Sequence, residues 1–200
     1  MIAAVLLAAG RSSRYGGAGD TKLLLPWGPE GIPMAAAVAA TLKAAGLGWI
    51  VAVLGHRADA VGAALAGRGV ETVLNPDYAD GLSSSIAAGV RAAPAGADGY
   101  LIALGDMPAV AAGTVSLVCR AFEAASPPAI VVPVHAGRRG HPVLFGRAYR
   151  EELLGLSGDV GARRLFSRHA GRVVEVAVDD PGVLSDVDTE AQYRAAAGAD

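Results

Sequence analysis

Ile2-Ala3-Ala4-Val5-Leu6-Leu7-Ala8-Ala9-Gly10-Arg11-Ser12-Ser13-Arg14-Tyr15-Gly16 decides the fold. Its first six residues are apolar without alternation, the pattern of a strand covered on both faces and hence of a parallel sheet. The strand runs into glycine, serine and arginine. Such a loop can turn several backbone N–H groups onto one anion. The apolar run lacks a preceding basic region and is too short to cross a bilayer, so it reads as a buried strand rather than a signal or an anchor.

Working outward, apolar β-rich runs alternate with Ala-rich helical stretches. Helices are expected over Met34 to Ala45, with Pro33 at its start and Gly46 after its end, and over Asp59 to Leu65. Two more are expected over Ser83 to Ala93, with Ser83 or Ser84 as N-cap, and over Val110 to Ala125. Strands are expected at Trp49 to Leu54, Val70 to Leu74, Tyr100 to Leu104 and Ala129 to Val134. The alternation predicts an α/β fold, a doubly wound and mostly parallel sheet in a Rossmann-like, three-layer α/β/α arrangement. After residue 134 the rhythm changes. His135 to Phe145 reads as a hairpin with Gly137 and Gly140 at its turn. Helices at Ala148 to Leu156 and Ala162 to Arg168, a strand at Val173 to Val178 and a helix at Thr189 to Ala197 complete the chain. The 200 residues, 52% hydrophobic, suffice for one core, so one domain spanning 1–200 is expected.

The formal net charge of −2 provides no basic field, which argues against nucleic acid and membrane surfaces as partners. The single cysteine, Cys119, precludes an internal disulfide and fits a reducing, cytoplasmic setting. Its apolar helical surroundings, Val115 to Phe122, suggest an inert core thiol.

In open α/β sheets ligands gather beyond the carboxyl ends of the strands. After the first strand stand Gly10, Arg11, Ser12, Ser13, Arg14, Gly16 and then Lys22, suited to phosphate oxygens. The stretch matches neither the P-loop nor the Gly-x-Gly-x-x-Gly pattern. After Tyr100 to Leu104 comes Gly105-Asp106-Met107-Pro108. Asp106 is placed either to hold Mg²⁺, which takes one or two carboxylates plus substrate phosphates, or to cap the next helix. Gly81-Leu82-Ser83-Ser84-Ser85 can meet a base and ribose or serve as a capping cluster. Asp186 and Asp188 can supply a second metal ligand or cap the last helix. His141 has no Cys or His partner at metal spacing, which argues against zinc.

Together these segments resemble the MobA-like nucleotidyltransferases, and within them the molybdenum-cofactor cytidylyltransferase branch. The resemblance rests on Leu7 to Gly16 followed by Lys22-Leu23-Leu24-Leu25-Pro26, then Gly81 to Ser85, Leu104 to Pro108, Gly140 to Phe145, Gly158 to Arg163 and Asp186 to Thr189, in order. Tyr15 stands where the signature has Met, and Gly17 to Thr21 lengthens the gap before Lys22. The resemblance implies a cytoplasmic enzyme that transfers CMP from CTP to the phosphate of molybdopterin, with Mg²⁺ as cofactor and a molybdoenzyme downstream. Leu7, Ala8, Ala9, Gly10, Arg11, Ser12, Ser13, Gly16 and Lys22 would cradle the triphosphate. Gly81, Ser83, Ser84 and Ser85 would line the base and ribose. Arg14, Lys22 and Asp106 would be catalytic, and Asp106 would hold the metal with Asp188 or Asp186. His141, Asp159, Gly161 and Arg163 would face the pterin. A guanylyltransferase or sugar-phosphate transferase of the same fold is one alternative, and a non-catalytic cofactor-delivery protein is another. A dinucleotide-dependent oxidoreductase fits poorly without the glycine pattern after the first strand.

Overall fold

The computed structural model describes residues 1–11, 21–158 and 161–197. The first part of the chain forms β1 (Ile2–Ala8), β2 (Pro26–Trp27), β3 (Ile32–Pro33), α1 (Met34–Ala44), β4 (Trp49–Leu54), α2 (Ala58–Leu65), β5 (Glu71–Leu74) and α3 (Leu82–Ala92). Next come β6 (Gly99–Leu104), α4 (Ala112–Ala124), β7 (Ile130–His135), β8 (Arg138–Arg139) and β9 (Val143–Gly146). The last elements are α5 (Arg150–Leu154), α6 (Arg163–Arg168), β10 (Val173–Ala177) and α7 (Glu190–Ala197). The main sheet runs β10-β7-β9-β6-β1-β4-β5, with β8 hydrogen-bonded to β7. No helix among the described residues is long and apolar enough to cross a membrane.

β1 is parallel to both its neighbours, pairing Leu7 with Val53 on one side and with Leu104 on the other. Its side chains alternate between two cores. Ala4, Leu6 and Ala8 face the core that contains residues of α1, α2 and α4. Ala3, Val5 and Leu7 face the core that contains residues of α3, α5 and α6. The sheet is thus covered on both faces, as its unbroken apolar strands require. On the second face α3 approaches closely through Gly89, where a Cβ would lie 2.2 Å from Val5 Cγ1.

The chain winds from β1 outward through β4 to β5, then returns to β6 on the other side of β1. The strand order therefore reverses between β1 and β6, which opens a crevice beyond their carboxyl ends. The loops after β1, β5 and β6 all emerge on this edge.

Two expectations about local structure are corrected. The 135–145 hairpin turns at Ala136-Gly137, both at positive φ, and Gly140 lies beyond that turn. Beyond that turn β8 leads on to β9. The latter strand inserts antiparallel between β7 and β6, pairing Phe145 with both Ile130 and Tyr100. The expected serine N-cap of α3 is instead Gly81, at φ 106. Ser84 Oγ donates to the carbonyls of Asp77 and Gly81 and so holds the turn before the helix.

α4 is capped from a distance. Ala111, its N-cap residue, has no side chain that could serve, and buried Asp180 does the work. Asp180 Oδ2 accepts from Ala111 N at 3.0 Å and Thr114 Oγ1 at 2.6 Å, and its Oδ1 accepts from Gly182 N at 2.9 Å. This carboxylate therefore fixes the 179–188 segment to the start of α4. Replacing Asp180 by Ala strands two buried donors, Thr114 Oγ1 and Gly182 N, and frees the exposed Ala111 N, at about 1–3 kcal/mol for each buried orphan. A loss of about 3 kcal/mol or more in urea unfolding is expected, with Asp180→Asn recovering part of it.

Candidate active site

Thr21 Oγ1 accepts from Leu23 N at 3.4 Å and caps a 3-10 turn over Lys22–Leu24. Leu23 is packed into the core, which fixes the turn and directs Lys22 inward. The lengthened gap before Lys22 therefore does not displace it from the crevice. Lys22 is only 7% exposed. Its Nζ lies 2.7 Å from Asp106 Oδ2 and 2.7 Å from Asp188 Oδ1. Burial works against its charge, but the Asp106 carboxylate and then the hydrogen bonds to both aspartates outweigh it, and its pKa is raised. The ammonium is held in its charged form.

Asp106 follows β6 through Gly105, where a Cβ would come 2.9 Å from the Leu7 carbonyl oxygen. Gly105 N donates to that same oxygen, which aligns the ends of β1 and β6. Asp188 arrives from the other side. Val187 N donates to Asp106 O at 2.9 Å, and His141 N donates to Val183 O at 2.9 Å. Asp188 is not consumed as a cap. Thr189 and Gln192 form a reciprocal capping box for α7, with Thr189 Oγ1 accepting from Gln192 N and Gln192 Oε1 accepting from Thr189 N.

Two cavities adjoin in this part of the crevice. The first, about 440 Å³, is bordered by Leu7, Ala9, Gly10, Arg11, Lys22, Tyr78, Gly81, Leu82, Ser85 and Asp106. Tyr78 is a contributor that the sequence reading missed. Its ring carries the Arg11 guanidinium 5.5 Å from its centroid. The second cavity, about 720 Å³, shares Leu82 and Leu104 with the first. Its apolar walls include Ile86, Val132, Phe145 and Phe166, and its polar groups are Arg138, Arg139, Arg163, His141 and Asp186. Arg139 is held by Glu175 Oε1 at 2.7 Å and lies over the Phe166 ring.

The expected nucleotide residues are thus only partly gathered. Ala8 faces the core below the sheet. Ser83 is fully buried beneath Gly158, whose carbonyl accepts its N–H, and its Oγ has no partner among the described residues. Ser84 is engaged in the turn with Asn75, Asp77 and Gly81. Of the three serines, Ser85 reaches the cavity wall. The two serine corrections share a cause, whereas Ala8 follows the alternation of β1. The helix starts one residue earlier than expected, which rotates Ser83 into the protein. Asp186 lines the second cavity with His141 and Arg163, whereas Asp188 joins Asp106. Gly161, at φ 57, packs against Leu82 and Ile86. Ser12, Ser13, Arg14, Gly16 and Asp159 lie outside the described residues. Among those described, no group of three or more His, Cys, Asp or Glu converges on one point. Two carboxylates that already share one cation fit a hard divalent ion completed by substrate phosphates.

His141 Nδ1 is buried and has no hydrogen-bond partner among the described residues. Burial lowers the His141 pKa, against the opposing pull of the Asp106 charge. A depressed pKa means that the folded state favours the neutral ring. The associated stability is present above the unfolded value of about 6.5 and lost as pH falls through the folded value. The melting temperature should therefore decline more steeply below about pH 6.5 in the wild type than in His141→Asn. Parallel curves would contradict this assignment. Cys119 is half-buried at the far end of the sheet, and burial pushes its thiol up to about 11, which keeps it unreactive.

The aspartates paired through Lys22 at the switch-point crevice of a doubly wound sheet place the chain among α/β proteins that bind ligands beyond their strand ends. Residues 4–173 match the MobA-like NTP transferase domain, and the chain belongs to that family of nucleotidyltransferases. Asp186 and Asp188 fall beyond the matched span. The chain is 31% identical to the nicotine blue oxidoreductase of Paenarthrobacter nicotinovorans, over 96% of this chain and 95% of that protein. It is 27% identical to the molybdenum cofactor cytidylyltransferase of Escherichia coli (strain K12), over 92% and 90%. Its fold superimposes on a Mycobacterium tuberculosis H37Rv protein crystallised with manganese, with TM-score 0.81, 31% identity and coverage of 100% and 99%.

Proposed function

We propose that this chain, read as one domain, transfers CMP from CTP to the terminal phosphate of molybdopterin, giving the cytosine dinucleotide and pyrophosphate. The observation that carries the reading is a pair of adjoining cavities that share Leu82 and Leu104, with Lys22 and Asp106 in the wall of the first and Asp188 ion-paired to that same lysine. The first cavity suits the triphosphate. The second, with apolar and aromatic walls and three arginines, suits a flat heterocycle bearing an anionic group.

In this reading an oxygen of the acceptor phosphate attacks the α-phosphorus of CTP, and the bond to the β-phosphate oxygen breaks. The nucleophile is already ionised at neutral pH, so no general base is required. The protein's task is to bring two anions together and to receive the charge that develops on pyrophosphate. Gly10 and Arg11 supply an N–H-rich turn and a cation at the triphosphate. Asp106 and Asp188 would hold the divalent ion, which is taken to be Mg²⁺ and would screen the phosphates when bound. The manganese in a similar fold and the cytidylyltransferase relative support these choices. Ser12, Ser13, Arg14 and Gly16 would complete the cradle.

The test is pyrophosphate release with Mg²⁺ and molybdopterin, running CTP, GTP, ATP and UTP in parallel. Release with CTP alone is expected. Release with GTP alone would transfer the same chemistry to a guanylyltransferase. Binding of the pterin without turnover would indicate a delivery protein. The relative named an oxidoreductase favours a second reading, in which the second cavity binds a reducible heterocycle. Oxidation of NADH or NADPH by the purified protein, with no pyrophosphate from any nucleotide, would favour it.

A further inference from the structure

The chain has seventeen basic residues, of which fifteen are arginine and two are lysine. Lys43 lies at the surface, where its ammonium donates to the Arg68 carbonyl oxygen at 3.2 Å. The other lysine, Lys22, is buried, with one carboxylate oxygen on either side at 2.7 Å. A chain that otherwise favours arginine thus places lysine at its half-buried carboxylate pair. The two cations differ physically. A guanidinium is a wide plane with five donors, whereas an ammonium is a compact point charge. A point charge between two carboxylates occupies the volume that a divalent cation would take, and the two cannot share it.

Lys22 also borders the first cavity, beside Gly10 and Arg11. A phosphate chain lying there offers its ammonium a second set of anionic oxygens within reach. Resting on the reading of Asp106 and Asp188 as the metal pair, we infer that Lys22 is a built-in counter-ion. It keeps a divalent cation off Asp106 and Asp188 until a polyphosphate draws its ammonium away. Metal and nucleotide then enter together, and free metal does not load the empty enzyme. The lysine carries out two tasks in sequence. It neutralises the aspartates in the resting enzyme and the triphosphate in the loaded one.

The first test is Mn²⁺ binding to nucleotide-free protein, followed by electron paramagnetic resonance. Lys22→Met and Lys22→Gln should bind Mn²⁺ about ten- to a hundredfold more tightly than the wild type, the range usual for coupled sites. Adding Asp188→Asn to either should abolish the gain. Equal or weaker Mn²⁺ binding by a folded Lys22 variant would overturn the inference. The wild type supplies an independent check that does not depend on the variants folding. With only two lysines, its Nζ resonances in ¹⁵N NMR are readily assigned. Inorganic tripolyphosphate without metal should shift the Lys22 signal and leave that of Lys43 unchanged. A Lys22 signal unmoved by bound tripolyphosphate, or by bound Mg²⁺, would also overturn it. None of these readouts uses CTP or pterin, so they stand or fall separately from the cytidylyl transfer itself.

Discussion

Asp106→Asn should remain folded and lose about a thousandfold in turnover. The substitution preserves shape and removes one negative charge from the pair that holds Lys22. Lys22 keeps Asp188 at 2.7 Å, so the ammonium is not orphaned. The structural cost is then that of one weakened charged hydrogen bond, about 1–3 kcal/mol. The catalytic cost is larger. A metal site contributes several kcal/mol of charge stabilisation, and each 1.36 kcal/mol is tenfold in rate. Together these give a loss of roughly 10³ in kcat, with a smaller change in KM for the nucleotide. Steady-state kinetics with Mg²⁺, accompanied by thermal denaturation, separates the two costs. A variant with near-normal Mg²⁺-dependent kcat would show that Asp106 is not the metal ligand.

Gly140→Ala should damage stability and activity together. A Cβ at Gly140 would lie 2.2 Å from the Val183 carbonyl oxygen and 2.8 Å from its carbonyl carbon. These are backbone atoms, so no flexible side chain can move aside. Gly140 N is meanwhile held by Pro133 O, and His141 N by Val183 O, each at 2.9 Å. Relief requires the 181–184 turn to shift, and that turn leads directly to Asp186 and Asp188. Overpacking of this kind costs about 1–3 kcal/mol, sometimes more. A lower urea midpoint and a loss in kcat/KM of about tenfold or more are expected, since positional errors near 1 Å can cost a hundredfold. A stable, fully active Gly140→Ala protein would mean that the 181–188 segment does not need this contact.

The sequence contained more of the sheet than of the site. The apolar runs at Ile2, Trp49, Tyr100 and Ala129 have unbroken patterns that only a doubly covered sheet accommodates, and each became a strand. The antiparallel insertion of β9 was not readable, because Val143 to Gly146 has the same apolar character whether it pairs with one neighbour or two. Lys22 and Asp106 stood out by position after strands. Choosing Asp188 over Asp186 depended on a local signal that was present. Thr189-Glu190-Ala191-Gln192 is a capping box, and its recognition assigns the capping of the last helix to Thr189 rather than Asp188. Asp180 carried no such signal, since the helix it caps begins some seventy residues earlier in the chain. Ser83 and Ser84 were misplaced because a one-residue shift in a helix start rotates each side chain by about 100°. Tyr78 escaped notice because its significance depends on Arg11, far away in sequence.

The central claim is that the α-phosphorus of the nucleotide ends up joined to the acceptor's phosphate. CTP labelled with ³²P at the α-position, incubated with the protein, Mg²⁺ and molybdopterin, tests it most directly. The account predicts that the label moves into a pterin-containing dinucleotide in which it resists alkaline phosphatase, with one pyrophosphate released per label transferred. Label that remains in CTP, or appears only as free CMP while the folded protein binds the pterin, would contradict it.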